Sequence, residues 1–493
     1  MFKIITKIED IQAAAQSGLY NTYPVAAEIF SDMYTPIQIM ARLKNKSRHC
    51  FMLESVDNTK KWGRYTFLGY DPSMEITCIE GNIKIRNGGV KSYENANPRE
   101  YIARILEENR SPQCEGLPTF TGGLVGYFSY DYIKYSEPSL NLDAEDSEHF
   151  NDVDLMLFEK VIAFDNDLQK IVLINNIRLD GIEDNFSLAC EELRKTAELI
   201  TDGEYFKNQP LQFKSDIKPL FSEAEYCGMV EKAKKYIYEG DIFQVVLSNR
   251  LEAEVEGSLF DTYRILRTEN PSPYMFYFSS DDVEIAGASP ETLVRLDNGT
   301  LHTYPLAGTR PRGRTEHEDL QLKYDLLSDE KELSEHNMLV DLGRNDIGRI
   351  SKFGTVEVEK YMEIQYFSKV MHIGSSVCGQ IAENKTALDA IDAILPAGTL
   401  SGAPKLRACE IINELENNKR GIYGGAIGYL DFSGNMDVCI AIRLAVKKNG
   451  KLFIRSGAGI VADSQPFKEH QECVNKALAV VEAAKTAIGG INL

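Results

Sequence analysis

A chain of 493 residues, 43% hydrophobic and 26% charged, has enough apolar content for a large core, organised as two domains or as one duplicated domain. Its net charge of -20, with no basic stripe to offset it, argues against nucleic acid and anionic membrane as partners, and no apolar run approaches the ~20 residues of a membrane span. The nine cysteines, an odd number with no Cys-x-x-Cys pair, read as reduced thiols in a cytoplasmic protein.

At the N-terminus, Phe2-Lys3-Ile4-Ile5-Thr6-Lys7 lacks the apolar core and cleavage signal of a secretory leader. Residues 1–205 form an N-terminal region and residues 221–490 a C-terminal one, joined by a polar, aperiodic linker over 201–219. After the linker, Ser222 to Gly240 reads as a helix, and Phe243 to Leu251, rich in β-branched and apolar residues, as a strand.

A faint repeat relates the two regions. Gly122-Gly123-Leu124-Val125-Gly126-Tyr127-Phe128 resembles Gly424-Gly425-Ala426-Ile427-Gly428-Tyr429-Leu430, and Gly69-Tyr70-Asp71-Pro72 echoes Gly287-Ala288-Ser289-Pro290 in the same order. Chance similarity between glycine-rich strand starts competes with duplicated strand-and-helix units packing sheet on sheet. Strands outnumber clean βαβ alternations, so the expected class is α+β.

Lys331 to Val340 carries helical periodicity, and at about 100° per residue Glu332, Glu335 and His336 share one arc. Small residues from Leu395 to Lys405 form a loop feeding a helix at Pro404, a place where free N–H groups favour an anion. Arg443 interrupts an apolar strand and needs a partner, either a ligand carboxylate or an internal salt bridge. Arg455-Ser456-Gly457-Ala458-Gly459 either lets backbone approach a ligand or makes a tight turn after a strand. The last helix starts after Asp463-Ser464, has Pro466 in its first turn and stops at Gly489-Gly490. On it, Glu469, Glu472 and Lys476 flank the apolar stripe, and acidic residues at i and i+3 repel each other unless a cation compensates. Two such helices facing one cleft would supply hard oxygen ligands for Mg²⁺ and place positive charge where an anion must bind.

Together with Gly240-Asp241-Ile242-Phe243-Gln244-Val245, Ala288-Ser289-Pro290-Glu291, Pro305-Leu306-Ala307-Gly308-Thr309-Arg310 and Asp341-Leu342-Gly343-Arg344-Asn345-Asp346, these segments resemble the chorismate-utilising enzymes over residues 221–490. Over nearly the whole length the resemblance is to the large subunits of anthranilate synthase. It implies two orthogonally packed antiparallel sheets flanked by helices, in four layers α/β/β/α. It also implies amination of chorismate at C2 by ammonia and release of pyruvate, giving anthranilate for tryptophan biosynthesis, with ammonia from a separate glutamine amidotransferase subunit.

By the same resemblance, Glu335 and Glu472 are Mg²⁺ ligands supported by Glu332 and Glu469, and the metal holds the ring carboxylate of chorismate. Gly308, Thr309, Tyr423, Arg443, Gly457, Ala458, Gly459 and Lys476 match substrate-binding positions, with Arg443 on the enolpyruvyl carboxylate. Glu291 is the acid that protonates the departing C4 hydroxyl; His372 is tied to the later loss of pyruvate, and Thr399 lines the same site. Gln244 stands where isochorismate and salicylate synthases carry a water-activating lysine, and Ala307 where aminodeoxychorismate synthases typically carry a nucleophilic one. Some aminodeoxychorismate-type enzymes lack that lysine, so they stay the rival enzyme; a non-catalytic tryptophan-sensing subunit is the rival of another class. Ser55, Pro273, Tyr274 and Met275 match the walls of an L-tryptophan feedback site, where a rigid Pro-Ser-Pro turn beside an aromatic and a methionine makes an apolar slot for an indole.

Overall fold

The computed structural model describes residues 2–55, 63–367 and 370–491. Two large antiparallel sheets face each other across a shared core, with helices on their outer faces, an α+β fold in four layers. Phe51, Phe67, Phe276 and Phe278 of one sheet meet Val125, Tyr127, Met156, Ile427 and Tyr429 of the other in the middle layer. Helices Pro36–Lys46, Ile182–Asp202, Phe260–Glu269 and Pro466–Thr486 cover the first sheet, and Pro98–Glu108, Glu330–Gly348 and Ala387–Ile394 the second. No helix among the described residues is long and apolar enough to cross a membrane.

Both sheets draw strands from both sides of the 201–219 linker, so the two sequence regions interleave as one body. The first sheet has its seam where Cys50–Glu54 pairs with Tyr274–Ser279, register Met275↔Glu54 to Ser279↔Cys50. From there the order runs outward through Tyr65–Tyr70, Lys160–Asp165, Lys170–Arg178 and Thr22–Phe30 on one side. On the other it runs through Val283–Ser289, Leu444–Lys448, Lys451–Ile460 and Gln244–Glu256. The second sheet has its seam at the glycine repeat, where Gly123–Phe128 pairs with Ala426–Asp431 and Gly126 lies opposite Gly428. A Cβ at Gly126 would sit 2.0 Å from the Asp154 carbonyl oxygen, and one at Gly428 2.1 Å from that of Asp437. The repeated glycines therefore serve the same close strand approach in each half, and the duplication is visible as matching strand orders about both seams.

The largest insertion that separates the described halves lies in the second. Between strands Thr300–Thr303 and Val370–Gln380 of the second half the chain adds strand Leu306–Pro311, helices Glu316–Leu327 and Glu330–Gly348, and strand Glu357–Tyr366. The first half has no such elements between Asn82–Arg86 and Val90–Tyr93. Within the linker, the preceding helix runs on to Asp202, and short strands Gln212–Phe213 and Lys218–Pro219 pair with Gln244–Glu256. The next helix, Glu223–Glu239, has a capping box from Ser222 to Glu225 and a left-handed Gly240 at its end.

Candidate active site

The inserted helix Glu330–Gly348 begins with Asp329, whose carboxylate caps it by accepting from the Lys331 and Glu332 N–H groups. Glu332 and Glu335 follow in the first two turns. Arg310, from strand Leu306–Pro311, clamps this end through Asp325 at 2.6 Å, Asp329 at 2.9 Å and Glu332 at 3.5 Å. Nothing local in the sequence marks Arg310 for this role, because 19 positions of chain separate it from Asp329 and only the fold brings the two together. His336 separates from its neighbours: fully buried, its Nε2 lies 2.6 Å from Ser375 Oγ, and burial lowers its pKa to about 4. It belongs to the core.

Across the cleft, helix Pro466–Thr486 packs its Cys473, Ala477, Val480 and Ala484 stripe on the sheet and leaves Glu469, Glu472 and Lys476 beside it. Glu472 accepts from Lys476 Nζ at 2.6 Å, and the same amine lies 3.2 Å from the Gly457 carbonyl oxygen. Desolvation by the cleft walls pushes the Glu335 carboxyl above its usual range, and the charges of Glu332 and Glu472 push it further. Glu469 is raised by burial and by Glu472, against a hydrogen bond from Ser464. Two helices far apart in sequence thus bring mutually repelling carboxylates within electrostatic reach of one another. An all-oxygen donor set with that repulsion suits a hard divalent cation such as Mg²⁺.

Glu291 follows the end of strand Val283–Ser289. Its Oε1 accepts from the Thr399 hydroxyl at 2.9 Å, and burial raises its pKa to about 7 against the opposing pull of Thr399 and Lys476. Thr399 sits in a 3₁₀ turn, Gly398–Leu400, within the small-residue loop. That loop does not present an open helix end: Gly402–Ala403 pairs with Gln244 and Val245, and Lys405 turns its amine to Asp346 and the Ile394 carbonyl.

Gly457, Ala458 and Gly459 lie inside strand Lys451–Ile460, opposite Ser248, Leu247 and Val246, and not in a turn. A Cβ at Gly457 would meet the Leu247 carbonyl oxygen at 2.6 Å and the Tyr423 hydroxyl at 3.0 Å, and one at Gly459 the Gln244 amide at 2.7 Å, so the two glycines make room for the neighbouring strand and for those side chains. Arg443 is likewise not within a strand. It stands at the crossover from Met436–Ile440 in one sheet to Leu444–Lys448 in the other, with φ of 53°. An arginine held in the left-handed region is a strained placement of the kind found at functional sites. Its Nη1 donates to the Lys476 carbonyl at 2.5 Å, and among the described residues it forms no ion pair. Its pKa is lowered by burial, with Tyr423 and Glu472 pulling the other way.

His372 Nδ1 lies 2.9 Å from the Gly308 carbonyl oxygen and 3.1 Å from Thr309 Oγ1. Since the carbonyl can only accept, Nδ1 carries the proton and Nε2 keeps its lone pair; burial lowers the ring's pKa and keeps it neutral. Gly308, with φ of 66°, allows the backbone turn beside Glu332. Ala307 is buried next to it.

A second cavity, about 350 Å³, opens between the sheets beside both seams. Ser55, Pro273, Tyr274 and Met275 all line it, together with Phe67, Arg295 and Tyr429. The Ser55 hydroxyl is buried there and has no hydrogen-bond partner among the described residues. Tyr274 directs its hydroxyl away to Thr292 and Asp437, each at 2.9 Å.

The family model of chorismate binding enzymes matches residues 48–482. The chain is similar to anthranilate synthase component 1 of Acetivibrio thermocellus, 47% identical over 478 residues that cover 95% of this chain and 96% of that one. It superposes on a crystal structure of anthranilate synthase component I from Streptococcus pneumoniae TIGR4 with a TM-score of 0.75 and 40% identity, covering 92% and 98% of the two chains. A menaquinone-specific isochorismate synthase from Escherichia coli, 18% identical, shares the fold with a TM-score of 0.70 over 97% and 98%.

Proposed function

We propose a reaction for a chain that belongs to the chorismate binding enzymes, among the large subunits of anthranilate synthase. It converts chorismate and ammonia to anthranilate, pyruvate and water. The observation that carries this reading is convergence on one amine. Lys476 is bonded to Glu472 and the Gly457 carbonyl, and its charge reaches Glu291, Glu335 and Glu469. A metal-type carboxylate set, a buried acid of raised pKa and a glycine strand are thereby gathered around one amine.

Glu335 and Glu472 would hold Mg²⁺, with Glu332 and Glu469 behind them, and when bound the ion supplies the positive charge for the ring carboxylate. Arg443 takes the enolpyruvyl carboxylate, a pairing that its lack of an ion partner leaves open. Gly308, Thr309, Tyr423 and the 457–459 backbone shape the walls. Ammonia attacks C2 while Glu291, its pKa raised to about 7 so that a protonated fraction persists near neutral pH, gives its proton to the departing C4 hydroxyl, which leaves as water. His372, neutral with a free Nε2, then takes the C2 proton as pyruvate is eliminated. Gln244 cannot activate water as a base, which favours ammonia as nucleophile. The ammonia comes from a glutamine amidotransferase subunit, in keeping with the "component 1" name of the relatives. L-tryptophan occupies the seam cavity and inhibits; the Ser55 hydroxyl, without a partner among the described residues, supports a polar ligand there.

Chorismate, ammonium and Mg²⁺ incubated with the chain should yield anthranilate and pyruvate by fluorescence and chromatography. Accumulation of 4-amino-4-deoxychorismate in their place would overturn the assignment.

A further inference from the structure

Behind the glycine strand lies a cluster of three buried charges to which the reaction above gives no part. Glu416, Arg420 and Arg455 have side chains 0%, 1% and 4% exposed. Glu416 binds Arg420 at 2.5 and 3.0 Å and Arg455 at 2.9 Å, and it accepts from the Ser248 N–H at 2.7 Å. Arg455 completes its shell with Ser248 Oγ, Asn418 and the Lys419 carbonyl. Burying three charges costs several kcal/mol per ion before their pairing repays it, and well-packed apolar residues often do as well for stability. Two guanidiniums against one carboxylate also leave a formal charge of +1 at this depth, in a chain whose net charge is -20.

The contacts of Arg420 account for the arrangement better than stability does. Its Nη1 donates to the Leu400 carbonyl at 2.6 Å and its Nη2 to the Val246 carbonyl at 2.7 Å. Leu400 is the residue after Thr399, whose hydroxyl holds Glu291, and Val246 lies two residues beyond Gln244. The guanidinium also stacks on Tyr130 at 4.6 Å and stands 5.9 Å from the ring of Tyr423. One planar fork therefore fixes the acid-holding turn, the Gln244 strand and Tyr423 relative to one another.

We propose that Arg420, held in place by Glu416, is a positioning residue for the general acid: it pins the Leu400 carbonyl and so sets the Thr399 hydroxyl against Glu291. The proposal rests on the reading of Glu291 as the acid of chorismate amination. A lysine cannot supply the two-pronged grip of arginine, so Arg420→Lys keeps the charge and loosens the fork. Glu416→Gln keeps the shape and removes the carboxylate's hold.

The test is ammonia-dependent turnover of the full chain over a range of pH, with thermal unfolding of each variant alongside. Displacing the acid by about 1 Å costs about 100-fold in rate. Both variants should therefore lose about that much kcat, while KM for chorismate changes by less than about threefold. The Thr399 hydrogen bond favours the charged form of Glu291, so loosening it should also move the basic limb of the rate profile to higher pH. Folded variants with an unchanged limb, whatever their kcat, would overturn the proposal. Failure of both to accumulate as folded protein would also overturn it, by making the cluster a folding element. If the unaltered chain makes no anthranilate, the parent reading fails and not this one.

Discussion

Glu291→Gln should remove activity and make the protein more stable, but only above about pH 4.5. Burial raises the carboxyl from its ordinary 4.5 to about 7, which corresponds to about 3 kcal/mol against the charged form. Between pH 4.5 and 7 the folded chain holds a proton that the unfolded chain has released. Stability therefore falls with rising pH across that window, and the full penalty applies above it. Glutamine keeps an oxygen for the Thr399 hydroxyl but never ionises. Relative to the unaltered chain it should gain up to about 3 kcal/mol at pH 8 and nothing at pH 4. For an entropy of unfolding near 2.1 cal/mol/K per residue over this length, that gain is a rise of about 3 °C in melting temperature. Loss of the general acid should lower kcat by about 10² to 10⁴. Paired melting curves at pH 4 and 8, with turnover at pH 7, check both arms. Equal melting offsets at the two pH values would show that the carboxyl is not buried at a cost, and near-normal turnover would show that it is not the acid.

Glu335→Gln or Glu472→Gln should abolish Mg²⁺-dependent turnover while leaving the fold intact, and chelation of the unaltered enzyme should do the same until Mg²⁺ is restored; near-normal activity in either variant would refute the ligand assignment. Ala307→Lys places an amine beside Gly308 and should alter the rate or the product mixture read by chromatography. If both stay as they were, that position does not sort the reaction types. Ser55→Phe fills the seam cavity, so calorimetric titration should show no L-tryptophan binding while ammonia-dependent turnover persists. Retained binding would place tryptophan elsewhere.

The duplication was legible because its mark is a steric one. Gly126 and Gly428 each admit a partner carbonyl within 2.0 and 2.1 Å of a missing Cβ, so the same residue type recurs in the same strand. Helix ends were legible for a similar reason: Ser222 with Glu225 and Gly240 act within a few residues of themselves. What the sequence could not display was that the two glycine strands pair with each other, or that Cys50–Glu54 lies beside Tyr274–Ser279. Pairings across more than 200 residues leave no local periodicity, and both sheets therefore look like separate regions until they are closed.

The carboxylate helices show where such reading stops. Periodicity grouped Glu332, Glu335 and His336 on one arc, yet the structure gives each a different neighbour: Arg310, the open cleft and Ser375. An arc about 100° wide spans the edge of a buried stripe, so its members divide between core and solvent according to what packs there. Arg443 misled for the opposite reason. Apolar letters on both sides of it belong to two different sheets, and the crossover between them is what strains its backbone. The insertion carrying Glu332 and Glu335 occurs in one half alone, so a duplicated frame need hold only one catalytic cleft. The other half still contributes directly: Ser55 and Tyr274 line the same seam cavity, and Tyr274 bonds Thr292, the residue after Glu291. The wall of the seam cavity at Tyr274 thus lies one hydrogen bond and one peptide unit from Glu291.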